Sequence, residues 1–531
     1  MNAKPCGNCL RADLPSGSAL RSARRWQRLR YVVGVLTRRQ FVIGGLSTGA
    51  WACSRSALVR SKQPQITHAV QSGDVQTGRA LVWARCDEPA RMVVEWDTTE
   101  RFADPRRVAG PVVGPATDLA ATVVIDGLPD AQTVWYRARF EREAARGASA
   151  WATGRFATPR SDGFRFAWTG DTCGQGFGRN PEWGGLKGYA ALRAAAPAFF
   201  LHSGDLIYAD NPILAEAKLA DGRVWRNVTN ERVARVAESI DDFRARFAYN
   251  LEDDHVRALA LEVPILAQWD DHETHNNWWP GQVLDDDRYR TERNASVLSA
   301  RARQAMLEWT PVPAGPVHRV VRYGPLLDVI VLDCRSFRTP NDANRGDTGA
   351  MLGADQARWF VDAVAGSRAR WKIIACDQPI GLVIGDGPSN TRNEGFANGD
   401  GPPLGREREL AGILAQLRER KVRNLAWLTA DVHYAAAHHY DPSRATAAVF
   451  DPFWEFVAGP IHAGTFGPNA LDPTFGPEVA FQWAPEPGTA NLAPWDGLQT
   501  FGTIDVAADA LTVAILGIDG RERYRVELPH V

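Results

Sequence analysis

Ala198-Phe-Phe-Leu-His-Ser203 runs without a break into Gly204-Asp205-Leu-Ile-Tyr208-Ala-Asp210. An apolar run of strand length that meets glycine and aspartate at once reads as a buried strand stopping at a tight polar loop. The arrangement recurs on both sides. Upstream, Phe164-Arg-Phe-Ala-Trp-Thr169 runs into Gly170-Asp171-Thr172-Cys173. Downstream, Val263-Pro-Ile-Leu-Ala-Gln-Trp269 meets Asp270-Asp271-His272-Glu273, and Leu327-Asp-Val-Ile-Val-Leu332 meets Asp333-Cys-Arg335. Trp371-Lys-Ile-Ile-Ala375 meets Cys376-Asp377-Gln378, and Leu425-Ala-Trp-Leu-Thr429 meets Ala430-Asp431-Val432-His433. Stretches of helical pattern lie between them, at 188–196, 241–250, 296–309, 353–365 and 405–420. Buried strands alternating with helices predict an α/β domain with largely parallel or mixed sheets over 161–531.

Strands of one open sheet present their C-terminal ends at a common edge, where α/β proteins place their sites. One aspartate at a strand end is ordinarily a turn former or a helix cap. Six such ends carrying aspartates and two histidines are a different matter, because carboxylates gathered on one edge repel unless cations neutralise them. Aspartate oxygen, histidine nitrogen and tyrosine oxygen suit hard or borderline ions such as Fe³⁺, Mn²⁺, Zn²⁺ or Ca²⁺.

The blocks Gly170-Asp171, Gly204-Asp205, Asp271-His272-Glu273 and Asp431-Val432-His433 occur in the order of a calcineurin-like metallophosphoesterase domain. With Cys173, Tyr208-Ala-Asp210, Asn276-Asn277 and Leu332-Asp333-x-Arg335 added, the chain more narrowly resembles the alkaline phosphatase D family. The resemblance implies a layered α/β/β/α catalytic domain and metal-dependent hydrolysis of phosphate esters. It implies Asp171 on a first metal and Asp205 bridging to a second. Tyr208 is then a phenolate ligand of a ferric ion, and Cys173 stands where simpler members place a ligand histidine. Asp271 takes the place of a ligand asparagine, with His272 as the general acid beside it. Asp431 and His433 replace a His-x-His pair, Asp431 serving the second metal and His433 the first. One Fe³⁺ with two Ca²⁺ is implied, Mn²⁺ or Zn²⁺ being substitutes. Arg335 and Asn277 are candidates for a clamp on the phosphate; Arg335 is also suited to capping a buried carboxylate. Cys173 is open between a ligand and a neighbour of the ligands.

Before this domain, residues 62–160 read as all-β. Alternating runs at 80–85, 91–96, 121–125 and 134–140, separated by Gly, Asp and Pro turns, predict a small Ig/fibronectin-like β-sandwich that packs against the site or controls access to it. Ser72-Gly73-Asp74-Val75 and Leu81-Val-Trp83 resemble the same family's N-terminal domain. Residues 1–58 carry an arginine-rich start, Thr37-Arg38-Arg39-Gln40-Phe41-Val42 and a short apolar stretch, and resemble a twin-arginine export signal. That resemblance implies passage through the Tat translocon and a periplasmic or secreted protein. Cys53 is a poor match to a lipid-attachment site for membrane anchoring.

Net charge is −1 over 531 residues, so no bulk electrostatics calls for a nucleic-acid partner; small phosphate esters are the expected ligands. Four of the seven cysteines, Cys86, Cys173, Cys334 and Cys376, fall outside the signal and lack metal-site spacing; one or two bridges fit an oxidising compartment. His275, His438 and His439 are expected to be local hydrogen-bonders, and His462 stands between site edge and structure. Asp377 is a weaker candidate. Glu394-Gly-Phe-Ala-Asn398-Gly-Asp400-Gly reads as a solvated loop, with a lid or cation loop as the alternative. Trp278 and Trp279 keep a bulkier, diester substrate in view. A catalytically silent metal-stabilised module is the contrasting class, and the joint presence of His272 and Arg335 argues against it.

Overall fold

Why the six strand ends converge follows from how their strands are paired. The computed structural model describes residues 63–143, 147–399 and 401–531, and those from Gln63 on pack as one unit. The export-type signal and Cys53 lie outside the described residues. Among these residues, nine strands form one sheet, ordered Glu522–Pro529, Ala510–Gly517, Thr500–Val506, Phe164–Thr169, Phe200–Ser203, Ile265–Gln268, Ile66–Gln76, Arg79–Cys86 and Ala120–Asp126. Seven form a second, ordered Arg319–Tyr323, Leu327–Val331, Trp371–Ala375, Leu425–Thr429, Phe453–Val457, Ala435–Tyr440 and Pro477–Trp483. The layered α/β/β/α arrangement that the resemblance implies has two β layers, and the structure has both, so the common edge is not that of one open sheet. The site strands instead divide between two sheets, three in each, running parallel within each sheet.

The two sheets face each other. Phe166, Trp168, Leu201 and Leu266 of the first share one buried cluster with Val329, Val331, Ile373, Ala375, Ala426 and Leu428 of the second. Their other faces are covered by helices, which is why these strands are apolar on both sides. Ile240–Leu251 and Ala295–Trp309 pack on the first sheet through Phe243, Phe247, Leu298 and Met306. Gly353–Gly366 and Gly405–Glu419 cover the second through Phe360, Val364, Leu410 and Leu414. Helix starts are set locally: Ser239 and Asp242 form a reciprocal cap, and Asn294 accepts from the Ser296 N–H at 2.9 Å.

Three strands of the N-terminal region continue the nine-stranded sheet; the other four, Ala90–Asp97, Arg106–Val113, Thr133–Glu141 and Ala152–Ala157, form a sheet of their own. Both sets contribute to the same buried cluster as the catalytic sheets. The join rests on a parallel pairing of Gly73 with Ile265, where a side chain at 73 would meet the Ile265 carbonyl at 2.7 Å. Next to it, Arg319 grips Asp74 through two hydrogen bonds, 2.6 and 2.8 Å, and donates to the Ala267 carbonyl at 2.9 Å. The Ser-Gly-Asp motif thus fastens the first strands to the strand that ends at Asp270.

Candidate metal centre

Asp171, Asp205, Asp431 and His433 all sit at positive φ, 67°, 53°, 67° and 61°. Each such non-glycine residue costs on the order of 1–3 kcal/mol and persists only where surrounding bonds fix it. Those bonds are present. The Asp171 N–H donates to the Gly204 carbonyl (3.3 Å) and Thr172 to that of Asp205 (2.9 Å). His462 accepts from the Cys173 N–H (2.7 Å) and donates its own to Asp171 (3.1 Å), so this histidine serves the turn through its backbone. Glu273 accepts from the N–H groups of Asp205, Leu206 and Asp270, tying two strand ends together. Gly459 closes over Asp171 at φ 151°, and a Cβ there would lie 2.5 Å from the Asp171 Oδ2.

Three groups of donor atoms result, each with its members within 4.8 Å of one another: Asp171, Asp205 and His433; Asp205, Asp271 and His272; Asp270, Asp271 and Asp431. Asp205 belongs to two of them. Tyr208 adds a phenol whose Oη lies 2.8 Å from the His433 Nε2. The ring of His433 is oriented by its Nδ1, which meets the Gly464 carbonyl, so Nε2 presents its lone pair towards Asp171 and Tyr208. Burial holds that imidazole neutral, its pKa lowered to about 4.

These residues fit metal ions. Burial first, and neighbouring carboxylates second, push Asp171, Asp205 and Asp431 well above the usual carboxylate range. Buried Asp171 Oδ2, Asp270 Oδ2 and Asp271 Oδ1 have no hydrogen-bond partner. Unpaired buried carboxylate oxygens are costly, and cations are the partners that would satisfy them. One donor group is all oxygen; another mixes a histidine nitrogen with carboxylates.

His272 stands beside this set. Burial alone would lower its pKa, but Asp210 and Asp271 override that and raise it to about 9. Its Nδ1 meets Asp210 Oδ1 at 2.7 Å, while Asp210 Oδ2 accepts from the Asn276 N–H at 3.0 Å. Asp210, two residues after Tyr208 in the same motif, is a site residue that the motif spacing alone does not single out. Asp270 goes unmarked in the same way beside Asp271.

Three candidate residues, Cys173, Arg335 and Asn277, and the loop at Glu394 are placed differently from expectation. Cys173 does not join a donor group. Its thiol lies in an apolar cluster with Ala167, Leu186, Tyr189 and Leu192, and burial pushes its pKa up. Arg335 is fully buried and binds carboxylates: its Nε donates to Asp270 Oδ1 at 2.5 Å and its Nη1 donates to Glu394. Asp271, Asp377 and Asp431 each lie 3.7 Å from the guanidinium. Arg335 therefore takes the carboxylate-capping role instead of the phosphate clamp. Glu394, read as part of a solvated loop, is buried between Arg335 and Arg338. Asn277 gives its N–H to Asp271 Oδ2 (2.6 Å) and its side-chain amide to Asp386 (3.2 Å), so it positions Asp271 from the rim. His438 pairs with Glu455 at 2.9 Å, away from the donor groups, as expected.

Two facing sheets thus bring carboxylates, imidazoles and a phenol to one shared edge, a donor set of the kind that holds metal ions. The chain belongs to the PhoD-like phosphatase family: that family's model matches residues 166–515, and the model of its N-terminal domain matches 52–160. It is 25% identical over 471 residues to alkaline phosphatase D of Bacillus subtilis (strain 168), covering 81% of this chain and 77% of that one. A solved structure of PhoD superposes with a TM-score of 0.63 at 19% identity, over 87% of this chain and 88% of that one. A purple acid phosphatase isolated from yellow lupin (Lupinus luteus) seeds superposes with a TM-score of 0.55 at 14% identity, over 87% and 74%. The protein is a phosphoesterase hydrolase.

Proposed function

We propose that this chain is a phosphomonoesterase in which Asp171, Asp205, Tyr208 and His433 hold a ferric ion and Asp205, Asp270, Asp271 and Asp431 hold Ca²⁺. The observation that carries this reading is Asp205, whose carboxylate belongs to two donor groups at once, beside a histidine locked to Asp210. Mixed nitrogen and phenol donors suit Fe³⁺, and the all-oxygen group suits Ca²⁺. Bound there, the ions supply a water activated near neutral pH and positive charge for the phosphoryl oxygens. The chain's own contribution is positional and acidic. Asp210 engages His272 at Nδ1, which leaves Nε2 as the nitrogen that gives its proton to the departing alkoxide. Arg335 puts a positive charge against Asp270 and beside Asp271 and Asp431, which opposes the upward pull of burial on their carboxyl groups.

Residues 62–160 act in this reading as a β-sandwich module, and 161–531 as the catalytic domain. The 1–58 segment directs export by the Tat route, which places the enzyme in the periplasm or outside the cell. A diesterase reading is favoured by one feature: half-buried Trp279 lies under the Arg392 guanidinium at 5.5 Å, beside Asn277 and Asp386, where a second ester substituent has an aromatic face to rest on. The test is Asp205→Asn, assayed with p-nitrophenyl phosphate and bis-p-nitrophenyl phosphate alongside elemental analysis. Monoester preference in the wild type and a loss of at least about 100-fold in the variant, with iron and calcium both depleted, are expected. Diester preference would transfer the proposal to the second reading, and full activity in the variant would overturn it.

A further inference from the structure

Cys334 and Cys376 leave adjacent parallel strands, Leu327–Val331 and Trp371–Ala375, just beyond their last paired residues, Val331 and Ala375. Both are fully buried, and their sulfurs are 3.6 Å apart. A disulfide needs about 2.05 Å between sulfurs; Leu332 stands in register with Cys376, and the turn after it carries Cys334 back so that the sulfurs come to 3.6 Å. The remaining gap is one for side-chain rotation and a small loop adjustment. Nothing in the catalytic reading uses either thiol. The shell around them is apolar, with Leu332, Met351, Ile374, Ile380 and Trp427 in the same cluster.

We infer that Cys334 and Cys376 form a disulfide when the protein folds under oxidising conditions. The two thiols give up two protons and two electrons as the S–S bond forms. The acceptor is a small-molecule or protein disulfide, whose own S–S bond breaks to two thiols. Because both sulfurs are out of solvent in the folded chain, exchange takes place before the core closes, and the finished bond is shielded from reductant. The bridge ties together the two loops that carry Arg335 and Asp377, whose side chains approach to 3.7 Å.

The same sulfurs, with Asp377, also make a donor group within 4.8 Å. A metal there is disfavoured by two features: the apolar shell, and the Arg335 cation already beside Asp377. A neutral disulfide fits that setting, and a thiolate pair with a metal does not.

The experiment refolds the full chain in a glutathione buffer rich in the oxidised form, then blocks free thiols in denaturant without reductant. Non-reducing peptide mapping of the wild type is expected to show the Cys334 and Cys376 peptides joined. Cys86 and Cys173 are expected to be alkylated. Reduction should release the two peptides and raise the intact mass by about 2 Da per bridge, and the C334S/C376S variant should lose that increment. Both peptides recovered as alkylated thiols from the wild type would overturn the inference. So would a bridge from either residue to another cysteine, or a metal bound by wild type and lost in Cys376→Ser while both thiols stay free.

Discussion

Replacing Arg335 by methionine separates a stability role from a substrate role. The guanidinium is fully buried, bonded to Asp270 and Glu394, with three more carboxylates 3.7 Å away. Methionine keeps much of the volume and removes the charge. Breaking a buried ion pair from one side costs about 3–5 kcal/mol, because the partner stays behind uncompensated. Unfolding entropy near 60 °C is roughly 2.1 cal/mol/K per residue. Over the Lys62–Val531 body that is about 1 kcal/mol/K, so Tm should fall by about 3–5 °C. Calorimetry on metal-loaded protein reads this directly. A double variant, R335M/E394Q, should recover part of the loss, with a coupling of about 0.5–3 kcal/mol. An R335M protein that melts within about 1 °C of wild type but has a raised KM would refute the capping role. It would also restore the arginine as a phosphate ligand.

Asp210→Asn should lower the pKa of His272, which stands at about 9 because of the Asp210 and Asp271 carboxylates acting against burial. As a general acid His272 works protonated, so kcat falls as pH rises through its pKa. In the variant this limb should move to lower pH by at least about one unit, and an unmoved limb would count against His272 as the acid. Because the folded pKa lies above the ordinary 6.5, the imidazolium's contribution to stability is complete below about pH 6.5 and lost as pH rises through about 9. A pH series of melting curves should show that decline. Gly459→Ala introduces a side chain at φ 151° and 2.5 Å from Asp171 Oδ2; a loss of about 2 kcal/mol and reduced metal content are expected, checked by melting and elemental analysis. Stripping the metals with a chelator should lower Tm by several degrees and re-addition should restore it, since ligands at about 1,000 times Kd contribute about 4 kcal/mol. A chelated protein with an unchanged Tm would speak against structural occupancy of these donors.

The strands and the donors were legible because both leave local marks. Four apolar runs ending in Gly-Asp, Asp-Asp-His or Asp-x-His, and two more ending at Asp333-Cys-Arg335 and Cys376-Asp377, need no long-range information to be recognised. What the sequence withheld depends on distant residues meeting. Arg335 and Glu394 are 59 positions apart, and only the fold shows that the guanidinium is enclosed. Cys173 sits two residues from Asp171 and looked equivalent to it. Both are at positive φ, 67° and 66°, yet the thiol ends among Leu186, Tyr189 and Leu192 while the Asp171 carboxylate meets Asp205 and His433. Asp210 offered a signal that could have been used: a carboxylate two residues beyond the candidate tyrosine, in the block that carries Asp205. The two β layers came from the family resemblance alone, and which strand belongs to which sheet was invisible locally, because a strand buried between a sheet and a helix reads the same in either one.

The pairing of Gly73 with Ile265 has a consequence for synthesis and for truncation. Ile66–Gln76, the first of the described strands, finds its hairpin partner within a few residues, but its other neighbour, Ile265–Gln268, is made only after nearly two hundred more. Until then Ile66–Gln76 offers one side of its backbone to any extended segment nearby. Closure over such a span is slow compared with local pairing. A chain begun at residue 161 would meet the complementary hazard, since Ile265–Gln268 would become an open border of the sheet beside the donor loop at Asp270–Glu273. The N-terminal strands thus move that border away from the donor loop, to Ala120–Asp126 at the far side of the sheet.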